Sequence, residues 1–152
     1  MTLKRNHAIE GSPLQALADQ LRAEDTPIAP HVIDPAESSQ LGELAGGGEY
    51  ALVIEAVREG YLLHYEQPRL LAGHDSDLAL LAGDYLYALG LDRLAALGDT
   101  RAVAVLSDLI SDCARLQAEG ETAPIENLWR GAAEEIGSGS ENQAECDASH
   151  SP

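Results

Sequence analysis

The chain has 152 residues and carries 26 acidic side chains against nine lysines and arginines, a net charge of −17. At this length we expect one domain with a single core of ordinary size. Nucleic acids and anionic lipids are bound through lysine and arginine, so we expect neither as a primary partner. The acidity fits either a surface that meets a basic protein partner or simple solvation, including adaptation to a salty cytoplasm.

The composition favours helices over strands. There is no phenylalanine and one tryptophan, so leucine, alanine, valine and isoleucine must build the core. Leucine and alanine are strong helix formers, and strand-favouring residues are sparse. We therefore predict an all-α protein, a single bundle of about five helices. Because no long apolar run occurs, including after Lys4 and Arg5, we expect no membrane span, no signal peptide and a cytoplasmic location.

The N-terminal third of the chain predicts a loose segment, residues 1–48, with one short helix. Ser12 followed by Pro13 is a helix-start signal, and the helix should end near residue 25. Prolines and a glycine triplet punctuate residues 26–48, which is typical of a connector with at most a short helical turn.

Residues 49–136 predict the helical core domain. Asp75 or Ser76 is expected to cap one helix, and Asp99 or Thr100 the next. The apolar periodicity predicts helices over residues 49–65, 76–97, 100–119 and 124–136. From residue 137 the chain has almost nothing to bury, and we expect a disordered acidic tail to residue 152.

The predicted helix over 76–97 is apolar around most of its circumference, which is typical of a helix buried among others. It contains the run Ala82-Gly83-Asp84-Tyr85-Leu86, which resembles the A-G-D-Y-L helix of the all-α trans-polyprenyl diphosphate synthases and of their small, non-catalytic partner subunits. The resemblance covers about residues 60–120 and implies half of an isoprenoid-synthase-like fold. It places Gly83 where a neighbouring helix approaches and Asp84 toward the centre of the bundle. There Asp84 would either be a buried group in a pocket, near Tyr87 or Arg93, or bond a neighbouring helix end.

The catalytic members of that family need two D-D-x-x-D motifs, which bind a diphosphate through Mg²⁺ ions. Upstream of the A-G-D-Y-L run the chain offers only Asp75 and Asp77, which would point to opposite sides of a helix. The second motif would fall beyond residue 152. We therefore expect no enzyme activity, no catalytic residue and no cofactor.

The spacing of polar residues supports neither a metal site, nor a nucleophilic serine, nor a phosphate-binding loop. His64 and Glu66 are two apart, so a helix would point them in different directions, and no H-x-x-x-H or E-x-x-H pair occurs. We expect no metal site. There is also no G-x-S-x-G and no P-loop.

These observations predict a non-catalytic, regulatory helical subunit that binds a larger protein in a hetero-oligomer. The resemblance implies the catalytic chain of a polyprenyl diphosphate synthase, and hence isoprenoid biosynthesis. The alternative is an accessory or assembly subunit of an unrelated multi-protein complex. The tyrosines fit an interface or a core that lacks phenylalanine equally well. The candidate residues for a partner contact or a tunnel wall are Tyr61, Tyr65, Leu78, Leu81, Asp84, Tyr85 and Leu89.

Overall fold

The computed structural model describes residues 12–149, with side chains through residue 139. The described chain forms α1 (Pro13–Ala23), α2 (Leu41–Leu44), α3 (Gly48–Tyr65), α4 (Ser76–Leu97), α5 (Thr100–Glu119) and α6 (Ile125–Ser149), with a 3₁₀ turn at Ala29–His31. Between residues 12 and 149 there is no strand, only an isolated antiparallel bridge between Val32 and Leu71. The prediction of an all-α bundle is confirmed.

Polar caps start three of the helices where the sequence predicts. The side chains of Ser12, Asp75 and Asp99 each accept a hydrogen bond from the backbone N–H three residues further along. That N–H has no partner inside the helix, so the cap satisfies it. Gly98 and Gly120 end α4 and α5 in the left-handed conformation that glycine adopts without strain.

Helix α3 lies at the centre of the bundle and packs against α1, α2 and α4. On one side its buried face joins α5 and α6 in an apolar cluster that contains Tyr61 and Trp129. On the other side it joins α1 and α4 in a second cluster, which contains Leu17 and Leu86. Burial of apolar surface in both clusters is the main force that holds the helices together.

Helices α3 and α4 approach each other closely because glycines line their contact. A Cβ on Gly60 would lie 2.8 Å from the carbonyl oxygen of Gly83, and one on Gly90 would lie 2.5 Å from a methyl group of Val57. A Cβ on Gly83 would lie 2.6 Å from Nε2 of His64. Side chains do not pack at such distances, so only glycine permits this helix pairing. Gly83 is thus a packing contact, as the sequence suggests.

Two predicted segments differ from the described structure. Within residues 12–48, for which one short helix is predicted, α1 buries Leu14, Leu17 and Leu21 in the second apolar cluster, and a second short helix, α2, follows. Helix α6 continues to Ser149, past the helix end predicted near residue 136. The continuation starts with Gly137, which is buried against the backbone of Leu44. Residues 1–11 and 150–152 lie outside the described chain.

Candidate functional site: an exposed face of α4

Helix α4 turns an apolar face outward. Leu80 and Leu81 are each 55% exposed, and Asp84 and Ala88 are exposed beside them. Residues three and four apart are neighbours on a helix surface, so these four side chains adjoin one another. The prediction that this helix is buried over most of its circumference is therefore wrong on this face.

His64 of α3 lies between Asp84 on this face and the rings of Tyr65 and Tyr87. Its Nε2 lies 3.1 Å from Oδ1 of Asp84, and its ring centroid lies 5.2 Å from that of Tyr87 and 5.9 Å from that of Tyr65. Tyr65 is itself 41% exposed. We call the surface formed by Leu80, Leu81, Asp84 and Ala88 the α4 patch.

Asp84 occupies a different environment from the one expected. Its side chain is 77% exposed rather than buried, and its partner is His64 rather than Tyr87 or Arg93. Arg93 instead pairs with Glu49. A polar contact this exposed is screened by water and contributes little to stability, so Asp84 remains available to a cationic group of another molecule. Burial raises the pKa of Tyr87, which therefore keeps its proton and packs as a neutral ring beside His64.

Tyr61 belongs to the core and not to a surface. It is 1% exposed, its ring lies 5.6 Å from that of Trp129, and its hydroxyl oxygen accepts a hydrogen bond of 2.8 Å from the side-chain amide of Gln117. Burial raises the pKa of this hydroxyl. Of the two predicted alternatives for the tyrosines, Tyr61 replaces a core phenylalanine, whereas Tyr65 lies at the surface.

The row Leu78, Leu81, Tyr85 and Leu89 is divided between two environments. Leu78, Tyr85 and Leu89 are partly buried and pack against the cluster that contains α1. The Tyr85 hydroxyl donates a hydrogen bond to the carboxylate of Glu24, which raises its pKa to about 12. Of this row, only Leu81 lies on the exposed face. These four residues therefore do not share one environment.

Three residues of this site were absent from the predicted set: Leu80, Ala88 and His64. Leu80 is four residues before Asp84, so its place on the same face follows from helix periodicity once Asp84 is known to be exposed. His64 contacts Asp84 and Gly83 from a different helix, and no local spacing indicates a contact of that kind.

The structure also contains a buried ionic cluster that sequence analysis did not identify. Glu55 and Glu59 of α3 are 1% and 0% exposed. Glu59 accepts hydrogen bonds from the backbone N–H groups of Arg69 and Leu70, at 2.7 and 2.8 Å, and from Nε of Arg69 at 2.8 Å. Burial raises the pKa of Glu55, which also accepts a hydrogen bond from Ser39. The cluster fixes the α3–α4 connection against α3. Two glutamates four apart in a mostly apolar stretch of helix are the sequence signal that could have revealed it.

Asp75 caps α4, Asp77 is exposed at its first turn, and no group of three or more candidate ligand side chains in the described part of the chain is arranged to hold a metal ion. None of the helices between residues 12 and 149 combines the length and the apolar character that a membrane crossing requires.

The chain matches no protein-family model, no curated protein and no solved structure. The resemblance to the prenyl synthase helix thus stays a prediction.

Proposed function

We propose that this protein is a non-catalytic helical subunit that binds a larger protein through the α4 patch. The observation that carries the proposal is the pair Leu80 and Leu81, two adjacent large apolar side chains of α4 that are each 55% exposed. Large apolar side chains exposed side by side are typical of a surface that another protein covers.

The charge around the patch indicates the chemistry of the partner. Asp77 and Asp84 are exposed on the same side of α4, and the whole chain has a net charge of −17. A complementary surface would present an apolar centre with lysine or arginine at its edge. Its apolar centre would cover the two leucines, and a cationic side chain would reach Asp84.

The resemblance of the Ala82–Leu86 run suggests the catalytic chain of a polyprenyl diphosphate synthase as this partner. Such a chain would carry the two D-D-x-x-D motifs that this one lacks. The alternative stays an accessory or assembly subunit of an unrelated complex, which would use the same patch.

The proposal is tested by co-expressing the chain with a catalytic chain that carries both motifs and measuring the complex by light scattering after gel filtration. Leu81→Asp should abolish a complex that forms through the patch. Ile33→Asp is the matched control, because Ile33 is 41% exposed and lies outside α4. Binding that survives Leu81→Asp would refute the role of the patch.

A photo-crosslinking residue at position 81 and one at position 33 distinguish the two partners. Crosslinks confined to position 81 that join a protein other than a synthase chain would favour the accessory role. Crosslinks between two copies of this chain would mean that the patch is a homodimer interface, which would overturn the proposal.

A further inference from the structure

A cavity of about 540 Å³ lies between α2, α3 and the first turns of α6, away from the α4 patch. The side chains of Arg58, Arg69 and Arg130 line it, together with the apolar side chains of Leu41 and Leu62. The sequence has only nine lysines and arginines against 26 acidic residues, so three of its nine cationic side chains lie around one cavity. Its volume lies within the range of known small-molecule sites.

The guanidinium group of Arg58 is held in place before any ligand arrives. It lies 5.1 Å from the centroid of the Trp129 ring and 5.3 Å from that of Tyr61. Its side chain is 13% exposed, and one guanidinium nitrogen is buried without a hydrogen-bond partner. The other terminal nitrogen, NH2, lies 2.8 Å from the carboxylate of Glu126. Arginine in such an aromatic setting keeps its charge and a fixed donor geometry.

The acidic groups near the cavity differ in how firmly they are held. Glu55 and Glu59 are buried behind Arg69 and bind its guanidinium, so they offset its charge permanently. Glu126 is the acidic residue on the cavity wall, and its side chain is 68% exposed. An exposed carboxylate can turn into solvent at little cost, which frees the donors of Arg58. Arg130 is exposed and forms no ion pair with the described carboxylates.

We propose that this cavity binds a small phosphate monoester, whose phosphoryl oxygens replace the Glu126 carboxylate on Arg58 and pair with Arg130. Two arginines on separate elements supply more N–H donors than one carboxylate accepts, whereas a phosphate offers three acceptor oxygens. Arg69 completes the wall, and Leu41 and Leu62 provide an apolar surface for the organic part of the ester. This proposal does not depend on the function proposed for the α4 patch.

Fluorescence of Trp129 gives a direct readout, because it is the only tryptophan of the chain and Arg58 lies over its ring. The full chain is titrated at constant ionic strength with inorganic phosphate, with phenyl phosphate and with benzoate. We expect phenyl phosphate to bind more tightly than inorganic phosphate, and benzoate to bind weakly. Tighter binding of benzoate would overturn the assignment of a phosphate, and no saturable binding of any probe would overturn the site.

Two variants change the affinity for phenyl phosphate in opposite directions. Arg130→Gln should weaken binding about tenfold, the effect of losing one charged hydrogen bond. Glu126→Gln should tighten it several-fold, since the competing carboxylate is removed. Arg115→Gln and Glu119→Gln make the same charge changes on α5, outside the cavity. If the control variants shift the affinity as much as the cavity variants, binding reflects net charge alone and the proposal is refuted.

Discussion

The buried carboxylate of Glu59 should contribute far more to the free energy of unfolding than the exposed carboxylate of Glu126, which also pairs with an arginine. Its two oxygens accept three hydrogen bonds, two from the backbone N–H groups of Arg69 and Leu70 and one from Nε of Arg69. Glutamine has a single acceptor oxygen and an NH₂ group that can only donate. In Glu59→Gln the best arrangement keeps the oxygen on the two backbone groups and turns the NH₂ toward Nε.

That arrangement loses a hydrogen bond to a charged group and leaves two donors facing each other in the interior. The lost bond costs about 1.5–3 kcal/mol, and with the unsatisfied donor we expect a total loss of about 2–4 kcal/mol in the free energy of unfolding. Glu59→Ala would remove all three bonds and leave the Arg69 guanidinium with only its longer contacts to Glu55, at a cost of about 3–5 kcal/mol.

Urea denaturation, followed by circular dichroism and by Trp129 fluorescence, measures these losses. Glu126→Gln is the matched control, because Glu126 also pairs with an arginine but is 68% exposed. Its cost should be about 0–1 kcal/mol. If Glu59→Gln and Glu126→Gln unfold at the same urea concentration with equal slopes, the buried cluster does not hold the α3–α4 connection in place.

Three further outcomes are expected. Gly60→Ala should lower the free energy of unfolding by about 1–3 kcal/mol, because its methyl group would meet the backbone of α4. Gly120→Ala has open space around it but a φ of +72°, and it should cost about 1 kcal/mol. Equal melting temperatures of the two variants would contradict the close packing of α3 and α4. The hydrogen bond to Asp99 raises the pKa of Tyr50 from 10.0 to about 12, so its stabilising effect is present below pH 10 and lost as the pH rises through about 12. Tyr50→Phe should therefore lower stability at neutral pH by about 1–2 kcal/mol and reduce the loss measured between those two pH values. The purified chain should form no prenyl product from an allylic diphosphate, isopentenyl diphosphate and Mg²⁺, and turnover by homogeneous protein would contradict the non-catalytic assignment.

Local signals predicted the helices well. Ser12, Asp75 and Asp99 each accept a hydrogen bond from an N–H group that any helix start leaves free. Because a cap residue directly precedes its helix, the start of the helix can be predicted from the sequence at that position. The end of the last helix was not predictable in this way. Its composition after residue 136 favours disorder, yet Gly137 lets the helix pass close to the backbone of Leu44, which is distant in sequence.

The candidate site was only partly predictable, because it too depends on contacts between residues that are distant in sequence. Periodicity groups Leu81 and Asp84 on one side of α4 but does not indicate which side faces the core. Because α4 is apolar nearly all round, the side that α3 covers is decided by where glycines permit close approach. Asp84 was therefore expected inside and lies outside.

The glycines between α3 and α4 also fix how the two helices can move. Sliding α4 by one helical turn, about 5.4 Å, would bring Ala79 or Tyr87 to the place where Gly83 accommodates His64. Neither side chain leaves room for the imidazole ring of His64, so α4 cannot slide along its axis or rotate against α3. The α4 patch is thus presented in a single orientation. A partner would meet a surface that is already arranged for contact and would lose little conformational entropy in binding it.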